Sequence, residues 1–300
     1  MMDGEYVFDR SDPEPTDLVA ADSDHVEPIL IELGTGVFAF VRPDPGFGES
    51  SVGLVIDADG LTVIDTGSTP VRGNVARAAI EALTEELELP LKRAVVTSSR
   101  VPFTGGSALF WRAGFYGTEA TSDELDQPVN HLAIRRLLPQ LAAAYPDSFA
   151  TRPITHTIDE EVWLTPSIRA LPTTGEAQSN LIAHLPGADT VFLGALGSFG
   201  TRPLAFAGNP GAWSDQLRKV AELASTFVPG HGMVGGKAEV TGLADYLDAC
   251  VAADGGDVAP GPWESWANPE FDAINTERAA RLTRGDGSVP DSMLELLGLS

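Results

Sequence analysis

The residue types that carry acid–base, nucleophilic or metal chemistry are few in this chain, and they are scattered. There is one cysteine, Cys250, and there are five histidines: His25, His131, His156, His184 and His231. A lone cysteine forms no intrachain disulfide and anchors no thiolate metal cluster. His156 and His184 lie inside strand-like runs (ITHTI, NLIAHLP) and read as packing or surface histidines. His131 begins a helical stretch and His25 sits in an acidic lead-in, so neither is given a role. His231 lies in FVPGHG, where a strand runs into a loop. Ser98 lacks the Gly-x-Ser-x-Gly elbow that presents a serine nucleophile. The balance of 43 acidic against 19 basic residues gives a formal net charge of -24. That excludes a nucleic-acid partner, which needs clustered Lys and Arg, and disfavours anionic membrane surfaces.

The elements that must position these residues follow from hydrophobic periodicity. Residues 1–27 are acidic and Pro-containing without sustained periodicity, and read as a mobile N-terminal segment. From Ile29 come short β-rich runs (ILIEL, VFAFV, SVGLVID, LTVID) punctuated by turns at Gly34–Gly36 and Ala58-Asp59-Gly60. Residues 71–87 have helical spacing, with Val75, Ala79, Ile80 and Leu83 on one face, and Pro90 ends the pattern. A buried strand, AVVTS, follows. A helix is expected to open at Thr104-Gly105-Gly106, and another over 128–145. A second strand-rich block is expected in ITHTI, EVWLTP, SIRALPTT, NLIAHLP and TVFLGAL. Helices over 211–225 and 238–253 flank the strand of STFVPGHG. The order strands, helices, strands, helices suggests two halves whose sheets pack face to face with helices outside. No signal sequence and no span long enough for a bilayer is present, which points to the cytoplasm by elimination.

Four segments together resemble the metallo-β-lactamase superfamily. VIDTG at 63–67 looks like the strand end whose Asp braces the metal site. AVVTSSRVPFTGGSALF at 94–110 is similar to the strand, metal loop and helix. GEAQSNLIAHLPGADTVFLGAL at 175–196 matches the middle region, and FVPGHG at 227–232 the last ligand loop. The resemblance implies a four-layer αββα sandwich of two mixed β-sheets. It divides the chain into the lead-in 1–27, a domain over 28–254, and a C-terminal helical extension over 255–300 packed on that domain.

It also implies seven former metal-ligand positions. The family's loop reads Thr-His-x-His-x-Asp-His-x-Gly-Gly. Thr97 and Gly105-Gly106 keep their places here, while Ser98, Arg100, Pro102 and Phe103 stand where the ligands belong. Glu176 replaces the later histidine and Ala195 the bridging Asp or Cys, so only His231 remains. A stable zinc site needs three or four N, S or O donors. Pro102, Phe103 and Ala195 have none, and Arg100 is a permanent cation. No metal and no other cofactor is therefore expected.

On this reading Arg100 and Glu176 face each other across the old metal position, with Asp65 and Asn180 beside the cleft. Arg100, Glu176 and His231 are the candidate catalytic residues, though residual polar groups satisfying one another is the plainer account. Asn180 sits where some members hold substrate, and equally caps a turn. In the tail, FDAINTERAARL at 271–282 resembles a segment that shapes the cleft in longer members. Trp263 and Trp266 read as staples joining tail to domain. The expected function is binding of a small molecule or partner in the vacated cleft, without the ancestral hydrolysis; a homo-oligomer stays open. The alternatives are a metal-independent lyase, cyclase or isomerase using Arg100, Glu176 and His231, and a hydrolase with a single-metal site rebuilt from Glu176, His231 and Asp65.

Overall fold

Alternating side chains on the early strands sort to two different cores, and this builds the layers. The structure, a computed structural model, describes residues 28–43 and 46–299; the expected N-terminal segment 1–27 lies outside them. Strands β1 (Ile29–Gly34), β2 (Val37–Val41), β3 (Val52–Asp57) and β4 (Gly60–Ile64) form an antiparallel meander. Val37, Ala39, Val41, Val55 and Ile64 point to the core between the sheets. Phe40, Val52, Leu54, Leu61 and Val63 point the other way. There they meet Ala76 and Ile80 of helix α1 (Pro70–Leu87). This is the two-residue period of a sheet buried on both faces.

The first sheet continues in parallel through β5 (Leu91–Val95), β6 (Gly114–Gly117) and β7 (His156–Thr157), making seven strands in sequence order. The second sheet has the order β12-β11-β10-β9-β8. Its strands are β8 (Val162–Trp163), β9 (Arg169–Thr173), β10 (Asn180–Leu185), β11 (Thr190–Ser198) and β12 (Thr226–His231). Ala183, Leu185, Phe192 and Val228 fill the inter-sheet core. Ile182, Val191, Leu193 and Phe227 face outward onto a helical layer supplying Trp213, Leu217, Tyr246 and Leu247. Two mixed sheets face to face, with helices outside both, make the αββα sandwich.

Three sequence expectations are corrected. ITHTI adds its two-residue strand to the first sheet, beside Tyr116–Gly117, and not to the second. The segment after Thr104 is not a regular helix: one turn, α2 (Val101–Thr104), precedes a 3-10 turn at Ser107–Phe110. The strand Gly114–Gly117 and a helix, α3 (Glu119–Leu125), follow it, and neither stood out in the hydrophobic pattern; Thr118, whose side chain accepts from the Thr121 N–H, was the available capping signal. The expected helix over 128–145 is α4 (His131–Leu137) followed by a 3-10 segment, Pro139–Ala144. Pro139 forces Leu138 out of the helical region, to φ -124 and ψ 63.

Helices α5 (Pro210–Val220) and α6 (Lys237–Ala252) cover the second sheet. The tail forms α7 (Phe271–Thr283) and α8 (Asp291–Leu296). Trp263 and Trp266 both pack on Tyr246, with ring centroids 5.7 and 5.6 Å away. Among the described residues no helix is long and apolar enough to cross a membrane.

Candidate functional site

Thr97, just past the end of β5, is the point where both sheets are tied together. Its hydroxyl and its backbone N–H donate to the Asp65 carboxyl, at 2.9 and 2.8 Å. The same hydroxyl accepts the N–H of Ala195 at 3.1 Å, and its carbonyl accepts the N–H of Leu181 at 3.0 Å. Gly194 is obligatory here: it has φ +50, and a Cβ on it would lie 2.1 Å from the Thr97 hydroxyl. Asp65 follows β4 in the left-handed region at φ 59, which Asp tolerates better than most side chains. It is buried, and burial pushes its carboxyl up to about 8 despite the opposing Thr97 bonds.

Arg100 and Glu176, far apart in sequence, meet as an ion pair. Arg100 Nε lies 3.4 Å from Glu176 Oε1. The other oxygen of Glu176 accepts from Ser98 Oγ at 3.0 Å and from Asn180 Nδ2 at 3.1 Å. Asn180 itself is buried and caps a turn, its Oδ1 accepting the Ala177 N–H at 3.0 Å. Two features of Arg100 escaped the sequence: Glu124 Oε2 is 3.7 Å from Nη1, and the guanidinium lies over the Phe206 ring at 5.0 Å. No spacing signal links residues 100, 124 and 206.

His231 closes β12 and is buried. Its ring lies between Phe47 and Phe103, each with its centroid 5.5 Å away. The Nδ1–H donates to the Glu49 carbonyl at 2.7 Å, since a carbonyl only accepts. That leaves the lone pair on Nε2, which has no protein partner among the described residues. Burial lowers its pKa to about 4, so the ring is neutral at neutral pH.

These side chains sit at a cleft of about 450 Å³. Arg100, Pro102, Phe103, Glu176, Ala195 and His231 line it, whereas Asp65, Ser98 and Asn180 stand behind that surface. An apolar wall comes from α4 (Ala133, Ile134, Leu137), α8 (Met293, Leu294) and Leu297, which caps α8. Arg136 ties the two helices together, donating to the carbonyls of Leu297 at 2.8 Å and Gly298 at 3.1 Å. Trp263 and Trp266 are not part of the lining.

The donor set does not fit a metal. Both Glu176 oxygens are engaged, both Asp65 oxygens face Thr97, and Pro102, Phe103 and Ala195 offer no side-chain donor. Arg100 adds a positive charge at the centre. Among the described residues no three His, Cys, Asp or Glu side chains converge as a metal-binding group.

No family model and no curated protein matches the sequence. Solved structures do match the fold. The metallo-β-lactamase from Hirschia baltica superposes with a TM-score of 0.55 at 16% identity, over 74% of this chain and 98% of that one. The structure of VMB-1 at pH 5.5 gives a TM-score of 0.57 at 20% identity, over 74% and 96%. FIM-1 from Pseudomonas aeruginosa, a metallo-β-lactamase in its mono-zinc form, gives 0.55 at 18%, over 75% and 97%. Layer order, strand topology and these superpositions agree: the chain has the metallo-β-lactamase fold, in a divergent form.

Proposed function

We propose that this protein binds a small, largely apolar molecule in the cleft where the fold elsewhere holds its metals, and that it does not carry out metal-dependent hydrolysis. The observation that supports this most is the cleft itself: its volume lies within the range of small-molecule sites, its walls are apolar, and a few polar groups converge at its base. Ala195, Pro102 and Phe103 place aliphatic and aromatic surface where a metal shell would need donors. The acid–base alternative is weaker on chemical grounds. A histidine held near pKa 4 is a poor proton acceptor at neutral pH, and Glu176 is engaged by three neighbours.

The reading is tested with an environment-sensitive apolar fluorophore titrated into the full chain. Saturable binding with one probe per chain is expected, and it should be lost in Ala133→Trp, which fills the cleft from α4 while leaving both sheets untouched. A strong chelator should leave the thermal transition unmoved, because no metal contributes binding energy to the native state. Absence of saturable binding, or a fall of several degrees on chelation, would overturn the reading.

A further inference from the structure

The base of the cleft narrows the chemistry of what binds there, an inference that rests on the cleft being a small-molecule site. Consider first the charges. Among the described residues Arg100 is the one lysine or arginine lining the cleft, and two carboxylates, Glu124 and Glu176, lie within 4 Å of it. A carboxylate or phosphate approaching Arg100 therefore enters a field that its neighbours already more than balance. An ammonium fares no better. The carboxylates it would seek are held by Arg100, Ser98, Ser99 and Asn180, and it would lose its hydration for partners already engaged.

Next consider the hydrogen-bonding capacity left over. Arg100 Nε faces Glu176, and Nη1 stands 3.7 Å from Glu124, beyond hydrogen-bond reach. Its Nη2 has no hydrogen-bond partner among the described residues, so N–H donors remain on a residue that lines the cleft. His231 offers the complement. Its Nδ1–H is committed to the Glu49 carbonyl, so Nε2 carries a lone pair and accepts. Among the described residues the ring is flanked by Phe47 and Phe103 and bonded to a backbone carbonyl, so nothing there favours an imidazolium. The base of the cleft thus holds an unused donor on one residue and an unused acceptor on another.

We infer that the cleft takes an uncharged, elongated apolar molecule whose head group is at once a hydrogen-bond acceptor and a donor, in the chemical class of long-chain alcohols and primary amides. The head accepts from Arg100 and donates to His231. The tail lies along Met293, Leu297 and Leu137, over the faces of Phe47 and Phe206. A neutral head satisfies both groups without stripping water from a full charge.

The test is a head-group series on one twelve-carbon chain: 1-dodecanol, dodecanamide, dodecanoate and dodecylamine, each below its solubility limit or micelle concentration. Binding to the full chain is measured at neutral pH by calorimetry and thermal shift. The alcohol and the amide should bind at least about tenfold more tightly than the two charged ligands, a difference of about 1.4 kcal/mol. In His231→Phe, which keeps the ring and removes the acceptor, tail binding should persist while the preference for the alcohol disappears. If that variant does not fold, the series on the unmodified protein decides alone. Tightest binding by dodecanoate would make Arg100 an anion anchor, and tightest binding by dodecylamine would make the carboxylates the recognition element. Either result overturns the inference. Equal affinities would show that only the tail is read, which removes the inference and leaves the cleft as a binding site. No binding by any of the four would remove both.

Discussion

Asp65 is buried behind the cleft and His231 is buried in its lining, and burial shifts them in opposite directions. For Asp65 the folded-state pKa is raised from 3.8 to about 8, so the native chain binds the extra proton between those values. Its contribution to stability is present at low pH and is lost as pH rises through the folded pKa. For His231 the folded pKa is lowered from 6.5 to about 4, so stability is lost as pH falls through that window. The two slopes oppose each other between about 4 and 6.5, and above that Asp65 acts alone. Asp65→Asn keeps a side chain that tolerates φ 59 and still meets Thr97. The stability of this variant relative to the unmodified protein should rise from pH 4 to pH 8, by no more than about 1.4 kcal/mol per pH unit. Urea unfolding of both proteins across that range checks it; a constant difference would show that Asp65 stays ionised.

The Arg100–Glu176 pair makes a second residue-scale test. Their side chains are 28% and 11% exposed, so water screens the pair, and the coupling expected from a double-mutant cycle is about 1 kcal/mol rather than the several of a dry pair. Strictly additive losses would mean that the two do not interact in solution. Their meeting was legible only through the family resemblance, in which Thr97 and Gly105-Gly106 fix the loop that carries Arg100 and the segment 175–196 places Glu176. Glu124 and Phe206 were not legible, since they reach Arg100 from elements whose relative placement no local spacing encodes.

At the scale of elements, Gly105 and Gly106 carry a constraint of a different kind from a turn. Neither has a positive φ, yet a Cβ on Gly105 would lie 1.9 Å from the Ser68 carbonyl oxygen, and one on Gly106 2.1 Å from that of Thr66. The short α2 turn can dock on the end of β4 only because both residues lack a side chain. Gly106→Ala should therefore destabilise by about 1–3 kcal/mol or more, measured by denaturant unfolding, without any loss of helical propensity to blame. A neutral effect would mean that the loop has room to retreat. Strand pairs of the first half were readable from their alternation, as the sorting of Val37, Ala39 and Val41 against Phe40 shows. The 128–145 segment departs from the expected single helix because its apolar period continues across Pro139 while its backbone does not.

For the whole molecule the dominant quantity is the net charge of -24, and only three of the 19 basic residues (Lys92, Lys219, Lys237) are lysine. Self-repulsion of that size opposes the compact state. Screening shortens its reach from about 10 Å at 0.1 M salt to about 3 Å at 1 M. The melting temperature should accordingly rise by several degrees as KCl is raised from low salt towards molar concentrations. A transition that falls or stays level would show that acidic residues are already balanced locally, as Asp59 is by Arg93 and Lys92. The four layers were visible in the order of strand and helix patterns. The resemblance pointed to the tail at 271–282 as shaping the cleft, but no residue of that segment lines it; the wall comes from Met293 and Leu297, which meet Ala133 and Leu137 across more than 150 residues of chain.

That division of labour has a consequence for how such a cleft changes through descent. Its base is made of residues that also fasten the two sheets to each other, so a substitution there is paid in folding as well as in recognition. Its outer wall is two short helices joined to each other by Arg136 and by side-chain packing. Selection can therefore rewrite the wall, and with it the shape of the tail that fits, while the base is held fixed by the needs of the fold.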